Sequence, residues 1–332
     1  MKTIRIVSTG NLQQFEEPIP APRGNESLLQ VKSVGICGSD LHWFTNGGTG
    51  GNARLDRPLV LGHEFSGVTE DGKRVAVNPA IPCGTCEQCR NGHPNICPHV
   101  IFAGHAGQDG ALREWMTWDT TRLHELPESI SHDEGTLLEP LGIALHALDL
   151  AHVKIGMTVG VFGCGPIGLL IIQLARLAGT RQIIATDPLP HRVEAALKFG
   201  ADRAFQVHST TCIDELFDAT GGRGVDAAFD ASGEADAVNT AFHLAVPGGK
   251  VMLVGIPEDD HTEFNASLAR RKGLTIKMVR RMKDSYPRAI ELVASKKVDV
   301  ASLVTHRFPL DQSNQAFQLA SRREGLKIII SV

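Results

Sequence analysis

The chain has 332 residues, 42 % hydrophobic and 21 % charged, a balance near the globular average and far from the polar, highly charged composition of disordered chains. Its formal net charge is −4, with acidic and basic residues interspersed, so it carries no basic footprint for nucleic-acid phosphates. The longest apolar stretches, such as Ile167 to Leu174, fall far short of the roughly 20 residues that cross a bilayer, and the length predicts two domains rather than one core.

The N-terminal segment MKTIRIVSTGNLQQFEEP alternates apolar and polar residues, which predicts a strand, and it lacks the apolar run and cleavage site of a signal peptide. The expected location is cytoplasmic. The first 140 or so residues are rich in short apolar runs and turn clusters, among them Asn46-Gly47-Gly48 and Thr49-Gly50-Gly51, and predict a loop-rich β domain.

Within it, Cys83, Cys86, Cys89 and Cys97 fall in fifteen positions, whereas Cys37, Cys164 and Cys212 stand apart. Four thiolates at such spacing in a polar loop fit a closed tetrahedral zinc site that supports folding, and disulfides are disfavoured in a cytosolic chain. The lobe spans about residues 78–98.

From Thr158 onward, short β-branched runs alternate with helix-length amphipathic stretches, the pattern of a parallel sheet covered by helices. The expected strands are Thr158–Phe162, Gln182–Thr186, Arg203–Val207, Asp226–Asp230, Lys250–Val254 and Thr275–Val279. Six such strands complete a doubly wound sheet. After Ser285, a helix at Pro287–Ala294, the segment Ser302–Phe308, a helix at Gln312–Ala320 and a strand at Lys327–Val332 do not extend that alternation. They are expected to rejoin the first domain, giving domains at 1–145, 146–284 and 285–332.

Gly163-Cys164-Gly165-Pro166-Ile167-Gly168 lies between the first of these strands and a helix. There the first two glycines allow a tight turn and close approach to a pyrophosphate, and Gly168 allows close helix–strand packing. Asp187 ends the second strand, 19 residues after Gly168. Its carboxylate can accept bonds from ribose hydroxyls and would repel a 2′-phosphate, which predicts NAD rather than NADP. Arg192 either lies against the adenine or is a solvated helix charge. Val254, Gly255 and Ile256, at the end of the fifth strand, are further candidate cofactor contacts.

Five ordered motifs carry a resemblance that runs over essentially the whole chain. They are CGSDLH at 37–42, LGHE at 61–64, the four-cysteine lobe, EPLGIALHA at 139–147 and GCGPIG at 163–168. Together they resemble the zinc-containing medium-chain alcohol dehydrogenases, and within them the sorbitol (polyol) dehydrogenase branch. The resemblance implies an α/β chain, with a GroES-like β-barrel catalytic domain and a Rossmann domain, two zinc ions per subunit, and NAD. It places Cys37, His63, Glu64 and Glu139 around the catalytic zinc, with either Glu64 or Glu139 as the carboxylate ligand. One thiolate, one imidazole and one carboxylate would balance Zn²⁺ and leave an open position.

The implied reaction is hydride transfer between a secondary alcohol and the nicotinamide, Ser39 passing the hydroxyl proton toward His42, which is otherwise a plain loop residue. The implied substrate pocket contains Ser39, Glu134, Glu139 and Arg281, walled by Trp43 and Phe102. Arg281 could bind neighbouring hydroxyls or the carboxylate of a sugar acid, unless a one-position shift gives that role to Arg280. Trp43 stands where sorbitol dehydrogenases often carry Tyr. The segment 67–75 is shorter than the family's usual hairpin and predicts a trimmed barrel edge. The expected partner is a small alcohol or ketone, and the expected assembly a homo-oligomer, dimer or tetramer. The competing expectations are a threonine-type or simple alcohol dehydrogenase and, from another class, a non-catalytic zinc-ribbon protein.

Overall fold

A computed structural model describes residues 1–50, 53–105, 107–207 and 213–332; Gly51 of the second turn cluster and Cys212 lie outside the described residues. The chain divides into two compact units, Met1–Gly142 with Lys283–Val332, and Ile143–Met282, against expected boundaries after 145 and 284.

The first unit is built on a mainly antiparallel sheet. Its spine is the strand Glu26–Gly35, flanked by Glu64–Thr69 on one side and by the C-terminal strand Lys327–Ser331 on the other. Ile329 and Ile330 pair with Gly35 and Val34, so the last residues complete the sheet of the first. Strand alternation places Leu29, Val31, Phe65, Val75 and Met116 on the buried side, joined by Ile6, Phe44 and Phe317 in one apolar core. The only tyrosine, Tyr286, is also buried, donating to the Val77 carbonyl at 2.7 Å and stacked on His124 at 4.4 Å. Between Glu64–Thr69 and Arg74–Val77 the chain makes a tight hairpin: Thr69 bonds Lys73 through its backbone, and Gly72 takes a φ of +84°.

The second unit is a six-stranded parallel sheet. Its spatial order is Arg203–Gln206, Gln182–Asp187, Thr158–Phe162, Val225–Asp230, Ala245–Leu253 and Thr275–Met278. In chain order this is 3-2-1-4-5-6, the doubly wound arrangement. Thr158–Phe162 is buried along its whole length because helices cover both faces. One face packs Phe162, Ile184, Leu216, Val238 and Phe242 into a common cluster. All six expected strands are present; the fifth begins five residues earlier than expected, at Ala245. No helix among the described residues is long and apolar enough to cross a membrane.

Candidate metal and cofactor sites

The four-cysteine lobe brings its sulfurs together locally. A short helical turn, Glu87–Arg90, and a single 3-10 turn, Pro94–Ile96, fold the loop back on itself. All four Sγ atoms lie within 4.8 Å of one another. Cys97 Sγ is 3.6 Å from Cys83 Sγ and 3.8 Å from Cys86 Sγ. A zinc–sulfur bond of about 2.3 Å gives a tetrahedral edge of about 3.8 Å, whereas a disulfide needs about 2.05 Å. The geometry therefore fits four thiolates on one zinc. Backbone amides of Thr85 and Cys86 stabilise the thiolate of Cys83 and lower its pKa to about 5, and the amide of Cys89 points at Cys86 Sγ from 3.5 Å.

The second cluster is assembled by tertiary structure. Cys37 caps the helix Gly38–Asn46, and its amide donates to Asp40 Oδ2 at 2.9 Å. Asp40 is almost fully buried; it also accepts from the Gly62 amide and faces His63 Nδ1, both at 3.3 Å. This contact occupies Nδ1 and leaves Nε2 as the ligand atom, the usual device for fixing a metal-binding imidazole. Burial opposes charge on Asp40, but His63 and the two amides outweigh it and hold the carboxyl below its ordinary range. For His63 burial again opposes charge, yet Asp40 and Cys37 push its pKa well above the usual imidazole value. A pocket that attracts a proton this strongly suits a metal cation.

Glu64 opens the strand Glu64–Thr69 directly opposite Gly35. A Cβ at Gly35 would strike Glu64 Oε2, so glycine there leaves the carboxylate its space. Lys327 donates to both Glu64 oxygens, at 2.9 and 2.7 Å, and to the Ile36 carbonyl at 3.0 Å, with almost no exposure of either side chain. A carboxylate has lone pairs enough to serve this ammonium and a metal together. Ligand atoms of Cys37, His63 and Glu64 all lie within 4.8 Å of one another. One sulfur, one nitrogen and one oxygen donor suit zinc, and three protein ligands leave a fourth position open.

Glu139 is not in that three-residue group. It is buried at the start of the helix Leu138–Ala151, where burial and the nearby Glu64 carboxylate raise its pKa to about 7 against the opposing pull of His63 and Lys327. Ser39 and His42 are one turn apart on the helix Gly38–Asn46, both half-buried, whereas Asp40 and Trp43 face inward.

Two of the expected pocket residues have other occupations. Glu134 closes a helix-capping box: its carboxylate accepts from the amide and hydroxyl of Ser131, at 2.7 and 2.6 Å, while Ser131 Oγ accepts from the Glu134 amide. These bonds give it a helix-capping role. Trp43 is 2 % exposed and belongs to the first unit's core. The Phe102 ring stands 5.4 Å from that of His63 between centroids. Arg281 belongs to the second unit and adopts a left-handed φ of +52°, a strained conformation for its residue type.

In the second unit the glycine motif forms the turn expected of it. Gly163 has φ +99°, and a Cβ on Gly168 would land on the Gly163 carbonyl oxygen, so strand and helix approach as only glycine permits. Gly165 caps the helix Pro166–Leu177 with no side chain over its first amides, leaving them directed at whatever anion binds there. Pro166 and Ile167 begin that helix. Asp187 is buried at the end of its strand, accepting from the amides of Cys164 and Leu189 at 2.8 and 2.9 Å. Arg192 reaches over the turn, its Nη1 3.7 Å from where a Gly165 Cβ would sit.

Asp230, absent from the expected set, ends the next strand and organises the adjoining loop. It accepts from the Ser232 and Gly233 amides, both at 3.0 Å, while the amides of Val254 and Gly255 bond its carbonyl. Ile256 follows with 44 % exposure. These features gather at the carboxyl ends of the parallel strands, where doubly wound sheets bind nucleotides.

The chain matches the zinc-binding dehydrogenase family over residues 166–295 and the alcohol dehydrogenase GroES-like domain over residues 23–128. It is 34 % identical over 342 residues to the sorbitol dehydrogenase of Bacillus subtilis (strain 168), covering 99 % of this chain and 97 % of that one. It is 37 % identical over 335 residues to a probable D-xylulose reductase A of Aspergillus clavatus, covering 96 % and 93 %. Among solved structures, an oxidoreductase/dehydrogenase of unknown specificity from Escherichia coli matches with a TM-score of 0.93 at 32 % identity, covering 99 % of this chain and 98 % of that one.

Proposed function

The chain belongs to the zinc-binding alcohol dehydrogenase family, and from that membership we propose that it interconverts a secondary alcohol and its ketone with NAD as hydride carrier, its substrate a polyol, sugar alcohol or aldonate. The observation that carries this reading is the convergence of Cys37, His63 and Glu64 within 4.8 Å, in a buried setting. A zinc ion held there would supply Lewis acidity toward an alcohol oxygen, so that no strong protein base is required.

The chain's own residues do the rest. Asp40 fixes the imidazole of His63, and Lys327 anchors the Glu64 carboxylate. Ser39 takes up the hydroxyl proton and hands it through water or a ribose hydroxyl toward His42, one helical turn away. Glu139, with its pKa raised to about 7, can donate or accept a hydrogen bond near neutrality and serves a substrate hydroxyl. Arg281 supplies a paired donor for vicinal hydroxyls or an aldonate carboxylate.

On the cofactor side, the Gly165 helix terminus and Arg192 suit a pyrophosphate, Val254 to Ile256 border the nicotinamide half, and Asp187 selects against a 2′-phosphate. We assign the active species to a homo-oligomer, dimer or tetramer, in the cytoplasm. An NAD-linked screen of polyols, aldonates, threonine and short alcohols tests the substrate class. A polyol or aldonate should show higher kcat/KM than any unsubstituted alcohol of similar length. Preference for 2-butanol over all of them would leave a simple alcohol dehydrogenase.

A further inference from the structure

We propose that the second unit carries an anion site at the end of its sheet opposite the glycine motif, where a hollow lined by Lys154, Arg181 and Arg223 binds the phosphate group of a small molecule.

The hollow has a volume of about 400 Å³, within the range of small-molecule sites. It opens among three segments that each lead into a strand of the parallel sheet. The turn Lys154–Met157 precedes Thr158–Phe162, Arg181 precedes Gln182–Asp187, and Arg223 precedes Val225–Asp230. The site therefore lies at the amino ends of these strands, whereas the glycine turn and Asp187 lie at the carboxyl ends. The strand Thr158–Phe162, five residues long at about 3.3 Å each, separates the two, so both ends can be occupied together.

The walls are fixed by hydrogen bonds. Gly156 turns the chain with a φ of +83°, and its amide donates to the Gly179 carbonyl at 2.9 Å, while the Arg181 amide donates to the Met157 carbonyl at 2.8 Å. Arg181 Nη2 donates to Thr158 Oγ1 at 3.0 Å, and Arg223 grips Asp226 through both terminal nitrogens, at 3.1 and 2.6 Å. The Thr158 amide also donates to Asp226, at 2.8 Å. Each guanidinium has five N–H donors, so these bonds position both arginines and leave donors for a ligand.

Charge makes the hollow selective. Among the described residues that line it, Asp226 is the one carboxylate against three cations, so two positive charges are left over. More surround it: Lys250 and Lys277 donate to the carbonyls of Ala151 and Leu150 at the end of the helix Leu138–Ala151. Burial first, then Lys154 and Lys277, hold the pKa of Lys250 below its ordinary value. An anion of one to two charges with several acceptor oxygens answers this excess, as a phosphate does. Ile155, also in the wall, is 87 % exposed and offers an apolar surface to the carbon skeleton of a phosphate ester.

The test titrates glycerol 3-phosphate, inorganic phosphate and glycerol calorimetrically into wild type, Lys154→Gln, Lys154→Arg and Ile155→Ser at low salt, with and without saturating NAD. Wild type should bind glycerol 3-phosphate with a Kd of about 1 mM or below, with or without NAD, and glycerol not at all. Lys154→Gln should weaken binding at least about fivefold at an unchanged melting temperature, and Lys154→Arg should stay within about twofold of wild type. Tighter binding of the ester than of inorganic phosphate, reduced by Ile155→Ser, identifies a phosphate ester as the ligand; equal binding of the two identifies free phosphate. Absence of binding to wild type, equal affinity in Lys154→Gln, or binding that disappears once NAD is added overturns the site.

Discussion

The two metal-ligand clusters of this chain are built in opposite ways. The Cys83–Cys97 lobe collects four sulfurs from fifteen consecutive positions, with short turns and backbone amides and little burial. The Cys37, His63 and Glu64 cluster draws its ligands from a helix cap and the start of a strand, and secures the strand ligand with a lysine 263 residues further on. A local, closed tetrathiolate site holds its own loop together and offers no open position. A dispersed, buried, three-ligand site depends on the whole domain and keeps a place for substrate. On the function proposed above, the contrast gives stability to one cluster and chemistry to the other.

The largest effect is expected where the second cluster leans on the fold. Lys327→Met removes the partner of a carboxylate that is 1 % exposed, and stranding a buried charge in this way costs about 3–5 kcal/mol. Urea denaturation should show that loss, together with weakened zinc retention at the Cys37 site and intact zinc in the lobe. A change below about 1 kcal/mol would mean that Glu64 and Lys327 are independent of one another.

The same contrast explains what was legible in the sequence. The cysteine spacing and the glycine motif are local signals, and both turned into the expected structures. Lys327 was invisible because nothing near it in sequence announces a carboxylate in another strand; only the antiparallel pairing of Lys327–Ser331 with Glu26–Gly35, next to Glu64–Thr69, brings them together. Asp40 lay inside a recognised motif, and its place three residues after the helix-capping Cys37 was the available sign that it would turn back toward the metal site. Glu134 carries a local signal that the pocket reading did not use. Ser131-His132-Asp133-Glu134 carries the Ser-x-x-Glu signature of a capping box, which accounts for its carboxylate without a substrate. Trp43 follows the helical period of the buried residues Asp40 and Phe44, which marks it as core before any pocket is considered.

A moderate effect is expected in the second unit, which contains neither metal-ligand cluster. Asp187→Ala should raise KM for NAD about tenfold with a smaller change in kcat, and should not create efficient use of NADP, since it removes repulsion without adding attraction. Steady-state kinetics with both cofactors decides this; wild-type activity with NADP equal to that with NAD would contradict the role given to Asp187.

The smallest effect concerns His124, stacked on Tyr286 in the first unit. Burial lowers its pKa in the folded state, ahead of the contributions from Asp284 and Arg122. The unfolded chain therefore takes up this proton first as pH falls below about 6.5. Stability from the neutral ring is fully present above that value and is lost progressively as pH falls toward the folded-state pKa. His124→Phe should keep the ring stack and flatten the decline in melting temperature between pH 7 and 5. A steeper decline than wild type would reverse the sign.

The division of labour between the two clusters is tested most directly by zinc content and melting temperature measured on wild type, Cys37→Ser and Cys83→Ser. Wild type should hold two zinc ions per chain. Cys37→Ser should lose one of them and more than about a hundredfold in activity, since even outer partners of a metal cost about 10–100-fold, while melting near the wild-type temperature. Cys83→Ser should lose the other ion and melt well below wild type, with activity remaining in the folded fraction. One zinc ion in wild type, or equal loss of thermal stability in the two variants, would contradict the assignment of stability to the lobe and chemistry to the buried site.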